Sequence, residues 1–226
     1  MQLNKIIYDV REAIKAFTDD SDLDDRYLIY LYGIKRAKYL RQDLNNMNRT
    51  IDNSIQQKLC LNMEVVSTND CGLDFECDKI LKSKQPVPKL LELHTKSSIV
   101  NVSPTNKLSI PFNFINKNRI YYLEGSSFPK SFYSFLDTDG HIYIYSMNED
   151  FKNIECITVT GVFEDPLELK NYYNCCNCDT QVECFDELTS DYPLQPHYID
   201  LIKGEIVNEL INRLQIPSDK TNDSIS

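Results

Sequence analysis

The stretch Ser190-Asp191-Tyr192-Pro193-Leu194-Gln195-Pro196-His197-Tyr198-Ile199 leads into a segment where Ile199, Ile202, Ile206, Leu210 and Leu214 recur at three- and four-residue spacing. That is the period of an α-helix. Pro196 falls in its first turn, where the missing N–H leaves no helical bond unmade. Leu201, Val207 and Ile211 widen the stripe, so the helix is apolar on more than one side. A lone surface helix needs one stripe. A wide one is buried between two layers, either within a bundle or against a second subunit.

The opposite end of the chain has the same character. Leu3, Ile6, Ile7, Val10, Ile14 and Phe17 mark a helix over 3–17. Asp19-Asp20-Ser21-Asp22 breaks it and supplies a cap for the next helix, where acids are favourably placed. That second helix is expected over about 23–45. Its stripe is Leu23, Tyr27, Tyr30, Ile34, Ala37, Arg41 and Leu44, with Leu28, Leu31 and Leu40 beside it. A shorter helix is expected over 50–58 through Ile51, Ile55 and Leu59.

Between these ends the pattern becomes strand-like. Leu61–Val66, Ser98–Val102, Leu108–Ile115, Arg119–Leu123 and Ile154–Val162 read as strands, and Lys79–Lys82 leads into Gln85-Pro86-Val87-Pro88, which must be extended and lie at a sheet edge or outside it. Ser131–Leu136 and His141–Ser146 flank Asp137-Thr138-Asp139-Gly140, the strongest hairpin signal in the chain. Pro166 opens a short helix through Leu167, Leu169 and Tyr173. The fold class is therefore α+β: N- and C-terminal helices form a helical bundle, with a central antiparallel β-sandwich or barrel-like domain. The expected regions are 1–59 (helical), 60–165 (β-rich), 166–216 (helical) and a polar tail, 217–226.

Composition limits what this chain can do. Its net charge of −10 opposes a surface that grips nucleic acid by neutralising phosphates. Six glycines are too few for a glycine-rich phosphate loop. No apolar run reaches the roughly 18 residues of a membrane span. The N-terminus lacks the apolar core of a signal peptide, so synthesis is expected in the cytoplasm with thiols reduced. Lys35-Arg36-Ala37-Lys38-Tyr39-Leu40-Arg41 is the one concentrated basic patch. Salt bridges or a solvated face explain it better than nucleic acid, because Arg36 and Lys38 point to different sides of a helix.

No catalytic constellation emerges. His94, His141 and His197 lie in no metalloprotease spacing, and no serine elbow exists. The acids at 19–25 lack the glycine and terminal glutamate of a calcium loop. Cys175, Cys178 and Cys184 are the metal candidates, since Cys175-x-x-Cys178 has knuckle-like spacing. A second clean pair is missing, and reduced half-buried thiols are the favoured reading, with no cofactor. A zinc-stabilised interaction module and a small Cys-dependent hydrolase are the alternatives carried forward.

With these residues laid out, the chain resembles the head-to-tail connector, or ring, proteins of short-tailed bacteriophages, closest to those of crAss-like phages. Three segments carry the resemblance: Ser21-Asp22-x-Asp24-Asp25-Arg26 followed by Ile34–Gln42; Lys84-Gln85-Pro86-Val87-Pro88-Lys89-Leu90-Leu91; and Asp191-Tyr192-Pro193-Leu194 with its helix, closing on Pro217-Ser218-Asp219 and Asn222-Asp223. The resemblance implies a non-enzymatic virion protein that forms a dodecameric ring below the portal protein. It would adjoin other tail ring proteins, pass DNA without reading its sequence, and contact no membrane. Tyr27, Tyr30, Ile34, Tyr39, Ile199, Ile202, Ile206, Leu210 and Leu214 are then the expected subunit-interface residues.

Overall fold

A computed structural model of the chain describes residues 1–16, 23–46, 50–69, 79–105, 111–124, 131–146, 152–175 and 190–214. In chain order the elements are α1 (Leu3–Lys15), α2 (Asp25–Leu44), β1 (Gln57–Ser67), β2 (Lys79–Ser83), β3 (Ile99–Pro104), β4 (Asn113–Phe114), α3 (Lys117–Glu124), β5 (Tyr133–Leu136), β6 (Ile142–Tyr145), β7 (Cys156–Gly161) and α4 (Pro196–Leu214). The 3-10 helices Asn53–Ile55 and Pro166–Cys175 lie between them. The chain divides into two compact units. One is Met1–Leu40 with Glu187–Ser226, and the other is Arg41–Asp186.

In the helical unit, α1 buries Leu3, Ile6, Ile7, Val10 and Ile14 of the expected stripe, whose last member, Phe17, lies outside the described residues. Asp24 caps α2: its carboxylate accepts the Arg26 N–H at 3.0 Å and its carbonyl the Leu28 N–H at 3.2 Å. The Asp19–Asp22 run expected to cap this helix lies outside the described residues. Pro196 is the first residue of α4, which buries Ile199, Ile202, Ile206 and Leu210.

The other unit is a seven-stranded sheet in the order β3-β7-β1-β2-β6-β5-β4. All neighbours are antiparallel except the β4–β5 pair. Phe112, just before β4, donates its N–H to the Val102 carbonyl of β3 at 2.7 Å. The two edges therefore approach each other, and the sheet is nearly closed, like a barrel. Closure of this kind removes exposed edges.

Two-residue periodicity sorts the side chains. Leu59, Leu61 and Met63 of β1 join Leu81, Ile142, Ile144, Ile157, Val159, Phe163 and Leu169 in the larger core. The opposite face of β2, β6 and β5 buries Ile80, Tyr143, Tyr145 and Phe135 with Ile120 of α3. Phe135 and Tyr143 stack at 5.2 Å. All four residues of β6 are buried, so this short strand is covered on both faces.

Three expectations are corrected. The helix expected over 50–58 is a single 3-10 turn, capped by Asp52 through the Ser54 N–H at 2.7 Å, followed by β1 from Gln57. The Ile51-Ile55-Leu59 spacing suited a helix, but the alternation Leu59-Leu61-Met63 prevails because it fills the sheet core. The strand expected over 119–123 is α3. Asn116 accepts the Asn118 N–H with its side chain at 3.1 Å and the Arg119 N–H with its carbonyl at 2.9 Å, so the expected turn is a helix start. Of the strand expected over 108–115, residues 108–110 lie outside the described residues, and the described part forms only the short strand Asn113–Phe114.

The hairpin is as expected. Gly140 donates to the Asp137 carbonyl at 3.0 Å, and its φ of +78° is a conformation that side-chain-bearing residues adopt with strain. Its carbonyl accepts the Val87 N–H at 2.8 Å, which holds the proline-rich segment extended. Gly161 serves a different need: a Cβ there would stand 2.9 Å from the Ser98 carbonyl oxygen. Gly140→Ala is expected to destabilise the chain by about 1–2 kcal/mol through backbone strain. Gly161→Ala should also destabilise it, by pushing β3 off β7. Chemical denaturation checks both, and an unchanged midpoint for either contradicts its assigned role.

Candidate functional site

The segment opening α4 is the organising point of the helical unit. Leu194 donates its N–H to the Tyr192 carbonyl at 2.8 Å, a three-residue turn centred on Pro193. The Pro193 carbonyl is left to Arg36 of α2, whose Nε donates to it at 2.9 Å. Arg36 is fully buried, with its guanidinium carbon 5.7 Å from the centre of the Tyr192 ring. Tyr192 in turn meets the buried Tyr32 edge-on at 5.4 Å. A buried guanidinium is tolerated only with hydrogen-bond and aromatic partners. Burial pushes the Tyr32 hydroxyl's pKa up. The same segment holds the start of α1: Tyr192 donates its N–H to the Met1 carbonyl at 3.1 Å, and the Met1 ammonium lies 3.0 Å from Asp191.

Ion pairs join the three helices. Lys35 contacts Glu205 and Glu209, each at 2.8 Å, and Lys38 contacts Glu205 at 2.9 Å. Lys203 pairs with Asp9 at 2.9 Å, Arg11 pairs with Asp25, and Arg213 donates to the Tyr27 hydroxyl at 2.9 Å. The hydrogen bonds from Lys35 and Lys38 hold the Glu205 carboxyl down at about 2. Glu205 and Glu209 together raise the pKa of Lys35. In the sheet unit, Arg41 and Lys89 contact Glu164 at 2.6 and 2.8 Å. The basic patch of α2 is thus engaged within the chain: Lys35, Lys38 and Arg41 in ion pairs and Arg36 in the unit's interior.

The expected interface residues divide into two groups. Ile199, Ile202, Ile206 and Leu210 are buried at 5% exposure or less within the chain. Their apolar area is already removed from water by the chain's own fold, whereas Leu201, one of the residues that widen the α4 stripe, is 54% exposed. Tyr27 and Tyr39 are half-buried, and Tyr39 packs against Tyr198 at 5.6 Å. Tyr30 and Ile34 are exposed, at 63% and 47%. Of the expected α2 stripe, Ala37 and Leu44 are buried, as are Leu28, Leu31 and Leu40 beside it, and Tyr32 joins them. The Leu214 side chain lies outside the described residues.

Sequence reasoning missed Arg36 as an interior residue, and it missed Tyr8 and Leu201 as exposed apolar residues, at 60% and 54%. The signal for Arg36 was its position on the Leu28-Tyr32-Leu40 side of α2. Cys178 and Cys184 lie outside the described residues, as does the Cys175 side chain. Among the described residues, no group of three or more His, Cys, Asp or Glu could hold a metal ion. His141 contacts the Ser83 carbonyl through Nδ1 at 2.6 Å and is a strand-end residue. Among the described residues no helix is long and apolar enough to cross a membrane.

Comparison with known proteins agrees with this picture of a chain built for packing. A family profile described as "Phage tail ring protein 2" matches residues 5–225. "Ring protein 2" of Bacteroides phage crAss001 is 24% identical over 225 residues, covering 99% of this chain and 96% of that protein. The chain belongs to the phage tail ring protein 2 family of crAss-like phages.

Two measurements check the site. Arg36→Ala should lower stability by about 3 kcal/mol, combining an unsatisfied carbonyl with a cavity. Arg36→Lys should restore only part of this, since an ammonium lacks the planar fork. A loss under about 1 kcal/mol for the alanine variant contradicts the anchoring role. The second measurement is stability against pH. The folded pKa of Glu205 lies below its ordinary value, so its stabilisation is full above that value and is lost as pH falls toward about 2. Glu205→Gln should flatten the wild-type decline in that window, and parallel curves would contradict this.

Proposed function

We propose that this tail ring protein is a non-enzymatic subunit of a dodecameric ring in the head-to-tail connector, seated below the portal protein and enclosing the DNA channel. The observation that carries the reading is the family match, which runs nearly the whole length of the chain. The terminal helices would pack side by side as a bundle around the channel, and the barrel-like unit would offer docking surfaces to adjacent rings. The protein would assemble in the host cytoplasm and remain in the virion.

Charge supports the channel role. The net charge of −10 and the internal pairing of the helical basic patch weigh against a surface that grips phosphates. A negative wall repels duplex DNA and leaves it free to slide. Tyr8, Tyr30, Ile34 and Leu201 supply exposed apolar area that assembly would bury. Electron microscopy of the purified chain, alone and mixed with portal protein, tests the reading. The expected result is a twelvefold ring that stacks on the portal; a persistent monomer, or a ring of other symmetry that ignores the portal, contradicts it.

A further inference from the structure

Among the described residues, two glycines remain unexplained by the chain's own structure. Gly140 is required by its backbone and Gly161 by the approach of Ser98. Gly33 sits in mid-α2 and Gly204 in mid-α4, and nothing comes within 4 Å of the point where either would carry a Cβ. Neither has a left-handed backbone. Glycine in a helix interior is destabilising relative to alanine. Nothing in the described chain offsets that loss.

Each glycine has a large apolar side chain three residues before it. Tyr30 precedes Gly33 and is 63% exposed; Leu201 precedes Gly204 and is 54% exposed. Residues three apart share one face of a helix. The outer faces of α2 and α4 therefore each present an apolar projection beside open space where a side chain is missing, and Ile34 extends the projection on α2.

We propose that these two faces meet between neighbouring copies, α2 of one chain lying antiparallel on α4 of the next. Tyr30 would sit over Gly204 and Leu201 over Gly33. One register satisfies both fits, because three residues forward along α2 correspond to three residues back along an antiparallel α4. In that register Asp200, exposed on α4, falls opposite Ile34 and one turn from Lys38, which pairs with Glu205 of its own chain yet stays 48% exposed and open to a second carboxylate. Exposed Arg26 on α2 falls opposite exposed Asn208. The α2 face thus carries cations and the α4 face an anion and an amide, so unlike faces attract and like faces do not. A contact between two different patches is heterologous, the type that builds a ring when its rotation closes. The inference rests on the ring assembly proposed above and names the surfaces that make it.

Native mass spectrometry with electron microscopy of the full chain tests it. Wild type should form rings. Tyr30→Glu and Leu201→Glu should each stay monomeric, with circular dichroism and melting temperature unchanged. An equimolar mixture of the two should stop at heterodimers, since only one sound α2 face and one sound α4 face remain to meet. Gly204→Ala should raise the melting temperature of the dilute monomer yet weaken assembly by roughly tenfold or more. That opposed pair of effects would not arise from a merely structural glycine. Tyr122→Glu, on α3, should leave the ring intact. Rings retained by both glutamate variants overturn this contact and leave the ring reading standing, as does a mixture that forms no heterodimer. A wild-type chain that is monomeric at every concentration overturns both.

Discussion

The helical unit depends on a buried guanidinium. Arg36 is shielded from water, and its partners include the Pro193 carbonyl and the Tyr192 ring. A charge in that position ranks among the least forgiving features a fold can carry, because a small displacement leaves it without compensation. The segment before α4 must therefore take one conformation, with Pro193 at the centre of a tight turn and its carbonyl turned to α2. Once placed, it sets where α4 begins and, through Met1 and Asp191, where α1 begins. Residues far apart in sequence are tied together by one short peptide.

The ion pairs add specificity more than bulk stability. Exposed pairs contribute little, commonly under about 1 kcal/mol. Lys35, only 16% exposed and shared between two glutamates, is better placed than most. It fixes the register of α2 against α4, which apolar packing alone leaves tolerant of sliding. The sheet unit relies on different means. Its strands bury alternating residues on the inner face, and β2, β5 and β6 bury a second set beneath α3. The hairpin carboxylate Asp139 takes part too. Burial pushes its pKa up, but donors from Lys82, the His141 N–H and Tyr143 outweigh this and hold it below the ordinary value.

The sequence revealed long elements and missed context. α1, α2, α4 and the β5–β6 hairpin were legible because each repeats its period over enough residues or carries a decisive turn. α3 was missed because Arg119-Ile120-Tyr121-Tyr122-Leu123 is too short to separate two periods, and what decided it was the Asn116 cap. The burial of α4 was legible, but not what buries it: a wide stripe is equally consistent with the chain's own core and with a neighbour. Arg36 was legible only as part of a basic run. Spacing shows where a charge stands on a helix but not that a carbonyl waits for it from residues far along the chain. The ring family itself was legible from motif resemblance, which gathers small cues over the whole length.

Tyrosine usage shows how one residue type serves opposite ends. The chain has fourteen tyrosines and no tryptophan. Tyr32, Tyr143, Tyr145 and Tyr192 are core residues, and two of them donate or receive aromatic edges that orient the Arg36 site. Tyr8, Tyr30 and Tyr122 stand in solvent. A subunit that is first soluble and then packed benefits from this choice: the hydroxyl keeps the isolated chain hydrated, and the ring supplies rigid apolar area when a surface closes over it. Leucine at the same positions would bury similar area but would leave a greasier free subunit, prone to contacts of no fixed geometry. The exposed tyrosines are thus compatible with a free subunit and a packed one, which is the constraint any ring subunit must meet before its neighbours arrive.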